Sequence, residues 1–127
     1  MNRLVIDVAD GEYAVTRLDP GSSVPSGLFS GAGLVSVTST AAEVSVVCPT
    51  AAAPEDGRTE AGWRLLTVRG PLEFTLTGIM AALAGALAQA GVPLFALSTF
   101  DTDHLLVRDA DLDRAVAALR EAGHEIA

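Results

Sequence analysis

The first half of the chain alternates apolar and polar positions, which is the pattern of β-strands with one buried face. Residues 3–18 keep this period of two on either side of Asp10-Gly11, so they predict a β-hairpin. Residues 34–40 and 43–48 are two further runs rich in β-branched side chains, separated only by two alanines. They predict a second hairpin, and the first half is therefore expected to be built from strands.

Two stretches of the first half carry residues that interrupt regular structure. Residues 19–33 are rich in glycine, proline and serine, which predicts a loop with one short helical turn around Pro25. Residues 49–62 contain two prolines and two glycines among alanines and charged residues. This composition predicts a linker between the two halves of the chain.

The second half alternates strands with helices. Ile79, Leu83 and Leu87 are spaced four apart, as on one face of a helix, and Gly91 fits the left-handed position that ends a helix. The predicted elements are strands at 63–69, 93–98, 104–107 and 124–127, and helices at about 76–90 and 111–122. Their order, β-α-β-β-α-β, is that of a split-βαβ, ferredoxin-like module.

The charge balance excludes several functions. The chain has sixteen acidic residues and eight basic ones, all of them arginine, and its net charge is -8. Nucleic acid is not an expected partner, because phosphate binding needs a basic surface. The absence of lysine also excludes a P-loop, a Schiff-base enzyme and a lysine general base.

Hydrophobicity and cysteine content bear on where the protein resides. Half of the residues are hydrophobic, yet no apolar run approaches the roughly 18 residues that a membrane-spanning helix needs. We find no secretory signal at the N-terminus, and Cys48, the single cysteine, cannot form an internal disulfide. These features predict a cytoplasmic protein with no membrane partner.

Motifs for catalysis or metal binding fail when their positions are checked. Two histidines and one cysteine leave a tetrahedral zinc site short of ligands. Asp101 and Asp103 have the spacing that opens a calcium loop, but Leu106 stands where such a loop needs glycine. His104 alternates with core positions and is interpreted as a surface or partly buried strand residue. The sequence predicts no enzyme, no metal and no cofactor.

Two segments carry chemistry that fits a ligand. Residues 70–78 form a strand-to-helix junction, and free N–H groups at a helix N-terminus bind a carboxylate well. Residues 98–103 form a polar turn with hydroxyls and carboxylates, which suits an ammonium group. An α-amino acid carries both groups. The alternative interpretation is that capping threonines and a solvated acidic turn serve the fold alone.

The two segments are expected at opposite ends of strands that are joined through a helix. On that arrangement a ligand bridges them only where two modules or two subunits meet. The predicted site therefore has residues 70–78 on one side of the ligand and residues 98–103 on the other.

Several blocks of sequence resemble a known family. Residues 63–79 and 98–107 resemble the small bacterial ACT-domain proteins related to the CASTOR arginine sensors and to the regulatory domains of aspartate kinases. Residues 33–38 and 43–49 resemble the first-half signature of the same proteins. The resemblance covers nearly the whole chain, and the block Ser-Thr-Phe-Asp-Thr-Asp is its most specific part.

The resemblance implies an α+β fold of two ferredoxin-like modules of the βαββαβ, ACT type. The N-terminal module is expected at residues 1–60 and is reduced, because residues 25–30 stand in place of its first helix. The C-terminal module is expected at residues 61–127 and is complete. Side-by-side packing of such modules implies a homodimer.

The resemblance also implies a non-enzymatic regulatory protein that binds a small molecule, an amino acid, between modules. Carried onto this chain, the expected ligand-binding residues are Glu73, Phe74, Thr75, Leu76, Thr77, Gly78, Ser98, Thr99, Phe100 and Asp103. Asp103 is the expected partner of the ligand's ammonium group, and Glu73 is the alternative. The resemblance identifies neither the amino acid nor the downstream partner.

A second hypothesis makes the protein a structural protein–protein interaction module that docks on a metabolic enzyme without binding a ligand. Its basis is the predicted helix at 76–90, which carries no charged residue. An exposed helix normally has a charged outer face. The outer face is therefore expected to be covered by another part of the chain or by a second subunit.

Light scattering tests the expected homodimer. We expect a mass of about twice the 13.0 kDa of one chain. A charged residue in place of Ala81, Ala84 or Ala88, whichever faces outward, should shift the mass toward the monomer, because a buried unpaired charge is costly. A mass near 13.0 kDa at high protein concentration would contradict the dimer.

Overall fold

The computed structural model describes residues 3–72 and 78–127. Its strands are β1 (Val5–Val8), β2 (Tyr13–Leu18), β3 (Ser36–Ser39), β4 (Val44–Pro49), β5 (Arg58–Val68), β6 (Leu94–Ser98), β7 (Asp103–Arg108) and β8 (Glu125–Ile126). Its helices are α1 (Ile79–Gln89) and α2 (Leu112–Glu121), with short 3₁₀ turns at Thr50–Ala52 and Asp109–Asp111. The predicted α+β class is confirmed.

The chain divides into two compact units. The C-terminal unit contains Arg64–Ala127 together with the described residues up to Asp10, and the N-terminal unit contains Gly11–Trp63. Strand β5 contributes its first residues to one unit and its last residues to the other. The boundary predicted between residues 60 and 61 therefore falls inside a strand, and β1 belongs with the C-terminal unit.

The C-terminal unit contains the predicted order of elements, from β5 through α1, β6, β7 and α2 to β8. Its sheet has the strand order β8-β1-β5-β7-β6, so β1 is an additional strand between β5 and β8. Ile6 stands opposite Val68 on antiparallel β5 and opposite Ile126 on parallel β8. On the other side, β7 pairs with β5 and with antiparallel β6.

The hairpin predicted for residues 3–18 is wrong in its pairing, whereas the hairpin of β3 and β4 is confirmed. Both strands of the first hairpin form, but β1 pairs with β5 and β8, and β2 pairs with β4 and β5. Alternation identifies residues with one buried face and contains no information on which strand lies alongside. Ile6 is fully buried between two strands that are distant in sequence.

One hydrophobic core supports the C-terminal unit. It connects the sheet with both helices through Leu4, Ile6, Leu66, Val68, Leu83, Leu87, Val92, Leu105, Val107, Ala115 and Leu119. Leu83 and Leu87 are the fully buried residues of α1 and have the predicted spacing of four. Burial of each large apolar side chain contributes roughly 1.5–3 kcal/mol to folding.

Helix α1 begins later than residues 76–90 predict. Its first residue is Ile79, and Gly78 precedes it with a φ of 79°, a left-handed conformation that glycine adopts without strain. Residues 73–77 lie outside the described part of the chain. The helix ends as predicted, with Gly91 at a φ of 72°.

The N-terminal unit has four antiparallel strand segments in the order β3-β4-β2-β5. No α-helix occurs between residues 11 and 63, all of which the structure describes. The core of this unit consists of Leu18, Leu28, Val44, Val46 and Cys48. Leu28 comes from the turn-rich loop before β3, so a loop supplies one residue of this core.

The linker predicted at residues 49–62 is wrong over its second half, because β5 begins at Arg58. Thr59 lies opposite Thr16 on β2, and their hydroxyl oxygens are 2.9 Å apart. A Cβ at Gly57 would lie 2.5 Å from Thr16 Cγ2 and 2.7 Å from the Arg17 carbonyl oxygen. Glycine stands there because the backbone approaches β2 closely, which sequence composition does not distinguish from a flexible linker.

The end of β5 lies against the turn between β6 and β7. The Leu72 N–H donates to the Asp101 carbonyl oxygen at 2.6 Å, and the Thr102 hydroxyl donates to the Val68 carbonyl oxygen. A crossover helix returns the chain to the start of the sheet, so strands joined through it end at the same edge. The prediction that residues 70–78 and 98–103 lie at opposite ends is therefore wrong.

Gly70 permits this contact. A Cβ at Gly70 would lie 2.9 Å from the Asp101 carbonyl oxygen and 3.1 Å from Thr102 Cβ. The nearer atom is backbone, which does not move aside as a flexible side chain does. A residue without a side chain is therefore needed at the end of β5.

His124 connects the two ends of the C-terminal unit. Its Nδ1 accepts a hydrogen bond from the Leu4 N–H at 3.2 Å, and the ring is buried. Because Nδ1 accepts, the neutral ring carries its proton on Nε2. Burial lowers the pKa of His124. A proton on Nδ1 would also replace the hydrogen bond from the Leu4 N–H with two donors that face each other.

Gly70→Ala should lower the free energy of unfolding by roughly 1–3 kcal/mol, because the added methyl group displaces the β6–β7 turn. Gly85→Ala is the matched control, since a Cβ at Gly85 in α1 meets nothing within 4 Å. That change should stabilise the helix by about 0.5–1 kcal/mol. Urea unfolding measures both values, and equal effects would contradict the close approach at Gly70.

Stability should fall as the pH drops below about 6.5, the ordinary pKa of histidine. Burial lowers the pKa of both His104 and His124 in the folded state. Between those lowered values and about 6.5 the unfolded chain binds more protons, so the folded state loses stability as the pH falls through that window. His124→Asn keeps an acceptor near the Nδ1 position and should weaken the pH dependence of urea unfolding. An unchanged dependence would contradict the role of His124.

Candidate functional site

A cavity of about 320 Å³ opens where the end of β5, the start of α1 and the β6–β7 turn come together. It is lined by Leu72, Gly78, Ile79, Met80, Ala81, Ser98, Thr99, Phe100, Asp101, Thr102 and Asp103. All of these residues belong to the C-terminal unit. The two predicted ligand-binding segments therefore meet within one unit, whereas the sequence predicted a meeting only between modules or subunits.

The predicted site residues divide into two groups. Those that line the cavity are Gly78, Ser98, Thr99, Phe100 and Asp103. Those that lie outside the described residues are Glu73, Phe74, Thr75, Leu76 and Thr77. The described half of the predicted set is thus assembled around one cavity.

The first turn of α1 forms one wall of the cavity. Gly78, Ile79 and Met80 lie on this wall, and the first N–H groups of a helix have no partner within it. In the described part of the chain, no side chain caps this helix start and no acidic residue lies in its first turn. The partial positive charge of a helix N-terminus makes this wall suitable for an anion such as a carboxylate.

The β6–β7 turn forms a second wall. Ser98 and Asp103 are opposite each other at the start of this turn, and the Ser98 hydroxyl donates to Asp103 Oδ1 at 2.5 Å. The Thr99 N–H donates to the Thr102 carbonyl oxygen at 2.9 Å and closes the turn. Asp103 is half-buried, so its carboxylate is oriented by Ser98 and partly shielded from water. A cation bound there forms a charge-assisted contact.

Sequence reasoning missed part of the apolar lining of the cavity. Leu72, Ile79 and Met80 are partly buried and pack against the core of the C-terminal unit as well as lining the cavity. The helical spacing of apolar residues predicts that Ile79 belongs to the core. The same spacing does not predict that Ile79 also lines a cavity. Phe100, which was predicted, is 79% exposed at the rim.

His104 was interpreted as a surface or partly buried residue, and the structure shows it buried beside the cavity. Its Nδ1 lies 2.9 Å from Thr67 Oγ1, and its Nε2 lies 3.3 Å from Thr99 Oγ1. Burial lowers the pKa of His104, while the Asp103 carboxylate acts in the opposite direction. The alternation of strand residues predicts on which face of β7 the His104 side chain lies. It does not predict that the hydroxyls of Thr67 and Thr99 are its partners.

The charge of the cavity wall is acidic, since Asp101 and Asp103 line it and no arginine does so among the described residues. In the described part of the chain, no cluster of His, Cys, Asp and Glu side chains is arranged to hold a metal ion. Within the same residues, no helix is long and apolar enough to cross a membrane.

The corresponding turn of the N-terminal unit, between β3 and β4, is bonded to the chain itself. Thr40 Oγ1 accepts hydrogen bonds from the N–H groups of Ala42 at 3.1 Å and Glu43 at 3.2 Å. The Arg17 guanidinium donates to the Ala42 carbonyl oxygen at 3.0 Å. Because residues 11–63 also contain no α-helix, this unit does not repeat the two walls of the cavity.

Comparison with known proteins finds similar proteins both by sequence and by structure. The human cytosolic arginine sensor for mTORC1 subunit 1 is 37% identical over 59 residues, which are 46% of this chain and 18% of that protein. A crystal structure of a protein from Agrobacterium tumefaciens is 36% identical, with a TM-score of 0.90 over 100% of this chain and 94% of that chain. The ligand-free regulatory subunit of aspartate kinase from Thermus thermophilus is 10% identical, with a TM-score of 0.65 over 93% and 97%.

These similarities differ in how much of each protein they cover and in what they show. The chain spans less than a fifth of the arginine sensor's length. The aspartate kinase subunit is similar in fold alone. The names of the two proteins describe a sensor and a regulatory subunit.

Two family models match the chain. A model for an N-terminal domain matches residues 11–56, which lie in the N-terminal unit. The model of the ACT domain matches residues 58–121, just over half of the 127 residues and nearly all of the elements that surround the cavity. The protein therefore belongs to the ACT-domain family.

Proposed function

We propose that the protein is a non-enzymatic regulator that binds an α-amino acid in the cavity of its C-terminal unit. The observation that carries this proposal is the pairing of two walls around about 320 Å³: a helix start that no described side chain caps, and a half-buried carboxylate. Cavities of a few hundred Å³ with few polar groups are typical binding sites for small molecules. The two walls have opposite electrostatic preference, as the two ends of an α-amino acid do.

The ligand's carboxylate is assigned to the start of α1. Gly78 and Ile79 line the cavity, and no described side chain caps the first N–H groups of the helix. A helix of eleven residues has a full macrodipole at this end. The carboxylate thereby gains both donors and a favourable field.

The ligand's ammonium group is assigned to Asp103. Ser98 orients one carboxylate oxygen of Asp103, and the hydroxyl of Thr99 lies on the same wall. Hydrogen bonds between ionised groups are roughly twice as strong as neutral ones. Glu73, the alternative in the sequence prediction, is outside the described residues.

The apolar part of the ligand is assigned to Leu72, Met80 and Phe100. Leu72 and Met80 are partly buried against the core and provide a fixed apolar surface. Phe100 is mostly exposed at the rim, where contact with a ligand would remove its ring from water. The size of the ligand's side chain is therefore limited by this group of residues.

The family supports a regulatory role in the cytoplasm. A relative that is named as a cytosolic arginine sensor and a fold neighbour that is a regulatory subunit favour amino-acid sensing. We extend the proposal to a homodimer of two-module chains, in which the N-terminal module is reduced and binds no amino acid. Its β3–β4 turn already holds the guanidinium of Arg17.

One observation favours the second hypothesis, an interaction module that docks on a metabolic enzyme. The exposed residues of α1 are Ala81, Gly85, Ala88 and Gln89, so this helix presents no charge to its surroundings. Small uncharged residues let another surface approach the backbone closely. On this hypothesis the cavity stays without an amino acid.

A thermal-shift screen of the full chain against the twenty amino acids separates the two functions. A ligand that binds the native state alone raises stability by about 2.7 kcal/mol at a hundred times its dissociation constant. We expect one or a few amino acids to raise the melting temperature, and calorimetry to give one ligand per chain. No shift with any amino acid would favour the interaction module.

Asp103→Asn tests the placement of the ammonium group. The change keeps the shape and removes the charge, so affinity should fall roughly tenfold to a hundredfold, or about 1.5–3 kcal/mol. Asp113→Asn is the matched control, because Asp113 is exposed on α2 and does not line the cavity. Unchanged affinity in Asp103→Asn and in Glu73→Gln would contradict the placement.

A further inference from the structure

Three hydrogen bonds run in one direction from β5 through His104 to the wall of the cavity. Thr99 Oγ1 donates to the Thr102 carbonyl oxygen at 3.2 Å, so its proton does not point at the histidine ring. His104 Nε2, 3.3 Å from Thr99 Oγ1, must then donate. His104 Nδ1, 2.9 Å from Thr67 Oγ1, is left to accept. The network therefore assigns the neutral ring with its proton on Nε2.

The chain of hydrogen bonds has one end in the cavity. Thr99 and Asp103 both line the cavity, whereas His104 lies behind them and Thr67 lies on β5. In the neutral form the ring holds the Thr99 hydroxyl in place from behind. Protonation of the ring adds a proton at Nδ1, on the Thr67 side, and leaves the Nε2–H donor to Thr99 in place, so its effect on the cavity is the added positive charge.

Asp103 is the charged neighbour of His104 on its own strand. The carboxylate favours a positive ring, and burial opposes it with the larger effect. On β6 the cross-strand partner is Leu97, which carries no charge. In the turn, Asp101 is exposed to solvent.

The other packed strands place no free charge against the ring among the described residues. On β5 the contacting residue is Thr67. On β1, Asp7 stands opposite Thr67 and is held by two hydrogen bonds from Arg69, an ion pair that lowers the pKa of the Asp7 carboxyl. Asp103 is thus the group through which a ligand's charge acts on His104.

We propose that His104 is a positioning residue of the candidate site: its neutral ring orients the Thr99 hydroxyl, and a positive charge on the ring opposes the binding of a cationic group at Asp103. The inference rests on the proposed function, since it names how that site is regulated. A bound ammonium group and a protonated His104 compete for the same carboxylate. By linkage, each disfavours the other to the same extent.

Histidine side-chain NMR of the unliganded full chain tests the coupling without any ligand. We expect a neutral Nε2–H ring at His104, and a lower titration midpoint in Asp103→Asn, because that change removes the negative charge as a bound cation would. His124 lies outside the cavity and is the internal reference, whose midpoint should stay unchanged. A proton on Nδ1 in the neutral ring, or an unchanged midpoint in Asp103→Asn, would overturn the proposal.

Binding of L-arginine, the amino acid in the relative's name, provides the second measurement. Calorimetry at about pH 7.5 and about pH 5.5 brackets the titration of histidine. Affinity should fall by about fivefold at the lower pH in the parent chain, and by less in His104→Gln, which keeps hydrogen-bonding groups without a titrating ring. His124→Asn should retain the full fall, and an equal fall in His104→Gln would overturn the proposal.

The two proposals fail in different ways. If no amino acid changes the melting temperature, the proposed function fails, while the NMR midpoints still decide the coupling of His104 to Asp103. If an amino acid binds with the same pH dependence in the parent chain and in His104→Gln, the proposed function stands and the role of His104 fails.

Discussion

The candidate site depends on the contact between the end of β5 and the β6–β7 turn. Gly70 has no side chain, so the Asp101 carbonyl oxygen comes close enough to accept a hydrogen bond from the Leu72 N–H. This contact brings the start of α1 and the carboxylate of Asp103 to one cavity. A helix N-terminus or an acidic turn alone binds only one end of an amino acid. The two together provide opposite electrostatic preferences around one cavity.

The two units of the chain show that a strand framework is not sufficient for such a site. Both contain antiparallel strands joined by a tight turn, and the turns occupy the same place in the order of elements. In the N-terminal unit, Thr40 caps its own turn and Arg17 bonds to it, and no α-helix supplies a wall of N–H groups. The N-terminal unit therefore lacks the helix start that forms one wall of the cavity in the C-terminal unit.

Much of the C-terminal unit was predictable, because its elements follow local rules. The spacing of Leu83 and Leu87 and the position of Gly91 located α1 and its end, and the polar turn after β6 was found from its composition. The larger errors concern which elements pack together, whereas the errors in the elements themselves are in their bounds, at the start of α1 and of β5. Strand β1 pairs with β5 in the middle of the chain and with β8 at its C-terminal end. Gly57 was assigned to a linker, but it lies where the backbone approaches β2 closely. Neither feature changes the local pattern of residues.

The sequence alone determined which residues are chemically suited to a ligand, because hydroxyls, carboxylates and helix-start signals are properties of residue type and spacing. It thus named Ser98, Thr99 and Asp103, all of which line the cavity. Only the tertiary structure decided that Gly78 lies beside them and that His104 stands behind Thr99. Those relations arise from the return of the chain through α1 and from the strand pairing that buries His104. Pairing depends on the free energy of the whole packed unit, and no local pattern of side chains encodes it.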